Sequence, residues 1–240
     1  ARVMEVGCSG HCYAEPLVVI HKPGEPGICY GYVTEDVAVR LVLDYVAGDD
    51  PCLEFALAAL EPNDFVPTFA DFPRGLVEKK VVLEQCGYID PEKLGHYLAV
   101  GGYQALAIAL QEPPLRTVEE IKASGLRGRG GAGFPTGLKW ETCLNAPGNT
   151  KYVICNADEG DPGAFMDRTI LESNPHLMLE GLIIAAYAVG ASKGYVYIRA
   201  EYPLAVQRIE LAVRQAREAG LLGRSILGSH FNFDVLVFQG

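Results

Sequence analysis

The chain has no apolar run long enough to span a bilayer. Its longest uncharged apolar run, 181–192, falls well short of the roughly 20 residues a spanning helix needs. Cations are scarce: 20 Lys and Arg face 30 Asp and Glu, for a formal net charge of −10. That balance excludes nucleic acid or an anionic membrane surface as the main partner, because both call for a cationic face. The N-terminus lacks the basic-then-apolar pattern of a secretory leader, so a cytoplasmic protein without direct membrane insertion is expected. A disulfide framework has no support either. The seven cysteines (8, 12, 29, 52, 86, 143 and 155) are odd in number and only 8 and 12 are closely spaced. Metal ligation, or burial as small apolar residues, is the alternative.

What the chain does have is apolar mass and glycine. Hydrophobic residues make up 49% of its 240 positions, enough for a sizeable core and incompatible with disorder. The 27 glycines are about 11% of the chain against a typical ~7%, and they cluster.

Three parts separate along the sequence. Residues 1–48 read as a small α/β piece. Strand-like runs at 1–6, 16–21 and 28–33 are followed by a helix that Thr34 caps, with Glu35 and Asp36 in its first turn. Two strands and a helix cannot close a core alone, so a further N-terminal piece or another chain is expected to complete it. Residues 49–77, with prolines at 51, 62, 67 and 73, suit an extended connector. Short helices are expected at 91–101, 103–110 and 117–124. From 125 onward, β-branched apolar runs at 151–157, 194–200 and 234–239 alternate with helical patterns at 175–190 and 203–220, each opening on proline. Strand, helix, strand, helix, strand predicts a parallel sheet, and the nearly continuous apolar runs suggest strands covered on both faces.

Six glycines fall in the 13 residues 125–137, with Arg127, Arg129 and Lys139 close by. Main chain without side chains, flanked by fixed positive charge and by a helix starting near Thr136, makes a phosphate cradle. The alternative is a flexible turn. Gly128, Gly130 and Gly133 match G-x-G-x-x-G, but a helix precedes them where the dinucleotide fingerprint requires a strand. No Gly-Lys-Ser/Thr follows, so this is not a P-loop.

The strand at 151–157 leads into Asn156-Ala-Asp-Glu-Gly-Asp-Pro-Gly163, at the carboxyl end where open α/β sheets bind ligands. Asp158, Glu159 and Asp161 can accept hydrogen bonds from sugar hydroxyls, coordinate a hard cation, or simply face solvent. His176 reads as a surface or capping residue, and Ser173 and Cys155 have no evident base partner. Cys8 and Cys12 form a C-x3-C pair in a glycine-bearing loop. Such a pair can hold one iron of a cluster that needs four ligands, or be two unrelated thiols, with His11 a remote third option as ligand.

Gly128-Arg-Gly-Gly-Ala-Gly-Phe-Pro-Thr-Gly-Leu-Lys-Trp140 and Asn156-Ala-Asp-Glu-Gly-Asp-Pro-Gly-Ala-Phe-Met-Asp-Arg168 resemble the flavoprotein subunit of NADH dehydrogenases. That family includes the NADH-binding subunit of respiratory complex I and the β subunits of NAD(P)-dependent, often electron-bifurcating, hydrogenases and formate dehydrogenases. The start, Gly7-Cys-Ser-Gly-His-Cys-Tyr-Ala-Glu-Pro-Leu-Val18, resembles the second half of the thioredoxin-like 2Fe–2S domain fused to the hydrogenase and formate dehydrogenase type. Glu201-Tyr-Pro203 points the same way.

The resemblance implies an α/β fold: a partial thioredoxin-like 2Fe–2S domain at 1–48, a connector at 49–77, and a Rossmann-like FMN/NADH-binding domain over 78–240 that continues beyond this chain. By motif, Gly128, Arg129, Gly130, Gly131, Lys139, Asn156, Asp158 and Glu159 would line the FMN site. Phe134 would stack on the adenine of NADH, and Asp161 would lie near the nicotinamide as the one side chain close to the chemistry. Cys8 and Cys12 would ligate the 2Fe–2S cluster, with its other ligands and those of a 4Fe–4S cluster outside this chain. Where the family often has an aromatic residue this chain has Thr142, which removes one nucleotide-stacking contact. The implied function moves hydride between NAD(H) and FMN and single electrons to iron–sulfur clusters. The implied partners are the iron–sulfur and catalytic subunits of a multi-subunit redox complex. The rival from another class is a nucleotide-binding or assembly module without turnover. The acidic rim favours NADH over NADPH by repelling a 2′-phosphate.

Overall fold

The computed structural model describes residues 1–148 and 150–240. It divides into two compact units, one formed by 1–4 and 8–84, the other by 5–7 and 85–240.

The first unit is built on a three-stranded antiparallel sheet, β1 (Val18–Ile20), β2 (Ile28–Tyr30) and β3 (Ala56–Ala59), in that order. Helix α1 (Glu35–Arg40) starts where the Thr34 hydroxyl accepts the Val37 amide, as the Thr-Glu-Asp run predicts, and continues as a π-helical turn over Leu41–Val46. Ile28, Tyr30, Val33, Leu41, Tyr45 and Cys52 form the core. Two expectations need correction. Residues 1–6 contain no strand. The stretch 49–77 is more than a connector, because its alanine-rich segment between Pro51 and Pro62 becomes β3 and pairs with β2. That third strand lets this small core close.

The second unit opens with four helices: α2 (Leu94–Ala99), α3 (Gln104–Ala109), α4 (Pro114–Ser124) and α5 (Thr136–Asn145). A parallel sheet follows, β4 (Tyr152–Ala157), β5 (Lys193–Ile198) and β6 (Asp234–Gln239), with β5 in the centre. Between β4 and β5 come α6 (Met166–Ser173) and α7 (Pro175–Val189), and α8 (Pro203–Glu218) links β5 to β6. Both long helices carry proline in their first turn, where its missing N–H costs nothing, and α7 stops at Gly190 with φ of 74°.

The apolar stripes of α7 (Leu179, Ile183, Ala186) and α8 (Val206, Ile209, Val213) pack with Ala157, Val196, Ile198 and Val235 from one side of the sheet. The other side differs from expectation. Ile154, Leu236 and Phe238 point away from this core and are about half exposed or more, so among the described residues the sheet is covered on one face. A strand's sequence reports how apolar its faces are, not what lies against them.

Candidate functional site

The glycine-rich segment folds as a closed hairpin. α4 ends at Gly125 in the left-handed region (φ 69°). Gly128 N–H then donates to the Phe134 carbonyl at 2.9 Å and Thr136 N–H to the Leu126 carbonyl at 2.9 Å, pinning the base. Gly131 (φ 104°) and Gly133 (φ 63°) turn the tip through backbone that L residues resist. A Cβ built on Gly130 or Gly131 would meet nothing within 4 Å, so their main chain is open to a ligand.

Beneath the hairpin the packing is tight. A Cβ on Gly137 would stand 2.6 Å from the backbone nitrogen of Lys122, and Lys122 Nζ pairs with Glu141 at 2.7 Å, so α4 and α5 are locked together. Among the described residues no side chain caps α5, which leaves its positive end for an anion. Arg127, Arg129 and Lys139 are exposed, and among the described residues none of them forms an ion pair. Phe134, at the hairpin's far side, is 53% exposed.

The acidic loop after β4 is held from two directions. Glu159 is buried, and its carboxylate accepts the backbone amides of Met166 (2.7 Å), Asp167 (3.2 Å) and Arg168 (3.3 Å). It thus caps α6, a helix the sequence analysis did not foresee. The signal was a carboxylate seven residues ahead of a helix with no cap of its own. The Glu159 carbonyl accepts Arg199 Nη1 at 3.1 Å and Tyr202 Oη at 3.3 Å. Asn156 Oδ1 accepts the Asp158 amide at 3.1 Å. The side chains of Asp158 and Asp161 remain exposed. Asn156 and Asp158 also border a cavity of about 530 Å³ whose other walls are Ile154, Tyr195, Tyr197 and Phe238.

Of the expected residues, the structure joins Gly128 to Phe134 across the hairpin and gathers Asn156, Asp158 and Glu159 on one rim. Among the described residues, no hydrogen bond or ion pair ties the hairpin to the rim. Arg199 and Tyr202 were missed, being on the loop after the neighbouring strand, where only parallel pairing brings them to β4's end.

The remaining reactive groups are quiet. Burial, with Asp167 nearby, pushes the Cys155 thiol up to about 11. His176 is no surface residue: it is buried, bonded to Tyr103 Oη and Gln215 Oε1 at 2.9 Å each, and burial lowers its pKa. Lacking an exposed ring, it serves packing.

In the first unit, Cys8 Sγ and Cys12 Sγ lie 3.5 Å apart, with Glu15 Oε1 3.3 Å from Cys8. The three ligand atoms fall within 4.8 Å of one another, close enough to share a metal. Chiefly through burial, the Cys8 thiol is pushed up to about 12. Arg74 donates to the Gly10 carbonyl at 3.0 Å and Lys80 to the Ser9 carbonyl at 2.6 Å. His11 stacks on Phe69 at 4.2 Å and bonds Ser9 Oγ at 3.1 Å, which occupies it apart from the thiols.

Residues 121–240 match the Nuo51 FMN-binding domain. The NADP-reducing hydrogenase subunit HndC of Solidesulfovibrio fructosivorans is 53% identical over 161 residues, covering 67% of this chain and 33% of that protein. An NADH-quinone oxidoreductase subunit of Rhizobium meliloti (strain 1021) is also 53% identical over 161 residues, covering 67% and 38%. The crystal structure of an NAD+-reducing [NiFe]-hydrogenase in the H2-reduced state aligns with TM-score 0.52 and 25% identity, over 89% of this chain and 32% of its own. The matched stretches thus amount to about a third of these relatives' length. No helix among the described residues is long and apolar enough to cross a membrane.

Proposed function

We propose, from the premise that the chain belongs to the family of Nuo51 FMN-binding domains, that it holds FMN for a redox complex fed by NADH. One observation carries the reading: the glycine main chain at 130–131 is unobstructed, and the nearby exposed cations of the same segment and of α5, Arg127, Arg129 and Lys139, form no ion pair among the described residues. An unpaired cation cluster beside bare amides is a site awaiting an anion. The residues therefore fit the group.

In this reading Gly130 and Gly131 present amides to the FMN phosphate, Gly128 lines the site with its own amide committed to the Phe134 carbonyl, and Arg129 and Lys139 offset the phosphate charge. Asn156 and Asp158 accept hydrogen bonds from the ribityl hydroxyls. Glu159, with its carboxylate committed to α6, contributes by fixing the rim. Phe134 is free to stack on adenine, and Asp161 orients the nicotinamide end of NADH. Bound FMN supplies the conversion between a two-electron hydride and single electrons, which no side chain here can perform. Cys8 and Cys12 would provide two ligands of a 2Fe–2S cluster, with a 4Fe–4S cluster, a hydrogenase or formate dehydrogenase catalytic subunit and further iron–sulfur subunits completing the complex.

The test is on the full-length protein containing this chain. Purified protein should carry one FMN per chain and reduce an artificial acceptor with NADH. The double variant R129A/K139A should lose the flavin without a change in melting temperature. Wild-type protein with no flavin affinity would overturn the reading. Flavin bound without NADH turnover would favour the assembly-module alternative.

A further inference from the structure

We propose that Arg199 is a positioning residue for this flavin site, fixing the acidic rim and setting its charge; the inference rests on the FMN reading above. Arg199 follows β5 and reaches sideways to the loop after β4. Its Nη1 donates to the Glu159 carbonyl at 3.1 Å, and its Nε lies 3.8 Å from the Asp158 carboxylate. On the other side, Nη2 and Nε donate to the two carboxylate oxygens of Glu201 at 2.8 and 3.4 Å.

This guanidinium does two things that a simple surface ion pair does not. It clamps a main-chain carbonyl whose own residue caps α6, so the rim's path is fixed from both neighbours. It is also the one cation among the described residues that contacts a rim carboxylate. Glu201 holds the planar fork in orientation, a role lysine cannot copy. Adding electrons to a bound flavin adds negative charge, so the balance between Arg199 and the carboxylates beside it shifts the potential at which the flavin accepts them.

The experiment compares full-length wild type, R199Q, R199K and E201Q in FMN affinity and flavin midpoint potential. R199Q should bind FMN about tenfold more weakly, the scale of one charge-assisted hydrogen bond, and its potential should move in the negative direction. E201Q removes an anion and should move the potential in the positive direction. R199K should keep most of the potential while losing affinity. The opposite signs for R199Q and E201Q are something a merely structural role would not produce. If R199Q fails to fold, the R199K affinity and the E201Q potential decide. Wild type without flavin sinks the underlying reading. Wild type with flavin but variants unchanged in affinity and potential overturns this inference alone.

Discussion

Single residues here do work that their chemical type alone would not assign. Glu159 sits in a motif that suggests a ligand contact, yet its carboxylate accepts three amides at the start of α6. Replacing it with alanine should cost about 1–2 kcal/mol, the range for losing a helix cap, read as a lower midpoint in urea unfolding. His176 shows the same lesson at a buried position. Its pKa is lowered, burial being the larger cause against the opposing Gln215 hydrogen bond. A depressed folded-state pKa means the unfolded chain binds more protons as pH falls. Stability is therefore full above the ordinary histidine range and declines as pH drops through it toward the depressed value. Urea unfolding from pH 8 to 5.5 should show that decline, and H176N should flatten it. The sequence reads His176 as a surface or capping residue; its burial was invisible because its partners, Tyr103 and Gln215, lie far away in the chain.

At the scale of elements, the hairpin 125–137 depends on glycines with different tasks. Gly137 allows α4 and α5 to touch, and a methyl group there would press on the Lys122 backbone, which cannot step aside. G137A should destabilise the second unit by roughly 1–3 kcal/mol, as overpacking does, measured by thermal unfolding. Gly130 has open space around it and no positive φ. G130A should leave the melting temperature unchanged while reducing FMN affinity at least tenfold, because only the ligand would meet the new methyl. Elements with a strong local signal were legible: the proline-led helices α7 and α8 and the apolar strands β4, β5 and β6 fall where their patterns put them. Those that depend on a distant partner were not. β3 exists because β2 offers it an edge, and the start of α6 is capped by Glu159, seven residues ahead of it.

For the molecule as a whole, the parallel α/β class followed from alternation of strand and helix patterns. The open sheet face around Ile154, Tyr197 and Phe238 could not be anticipated, since apolar strands look alike whether covered or bare. The site was legible as two loops with complementary chemistry, amides and cations on one and carboxylates on the other. The residue that braces the rim, Arg199, was not, because parallel pairing between β4 and β5 creates its position. The most direct measurement of the central claim is a crystal structure of the full-length protein with FMN bound. The account predicts the phosphate on the amides of 130–131 near Arg129 and Lys139, and the ribityl chain within hydrogen-bond distance of Asn156 and Asp158. A flavin seated elsewhere, with the hairpin and the rim both free of it, would contradict the account.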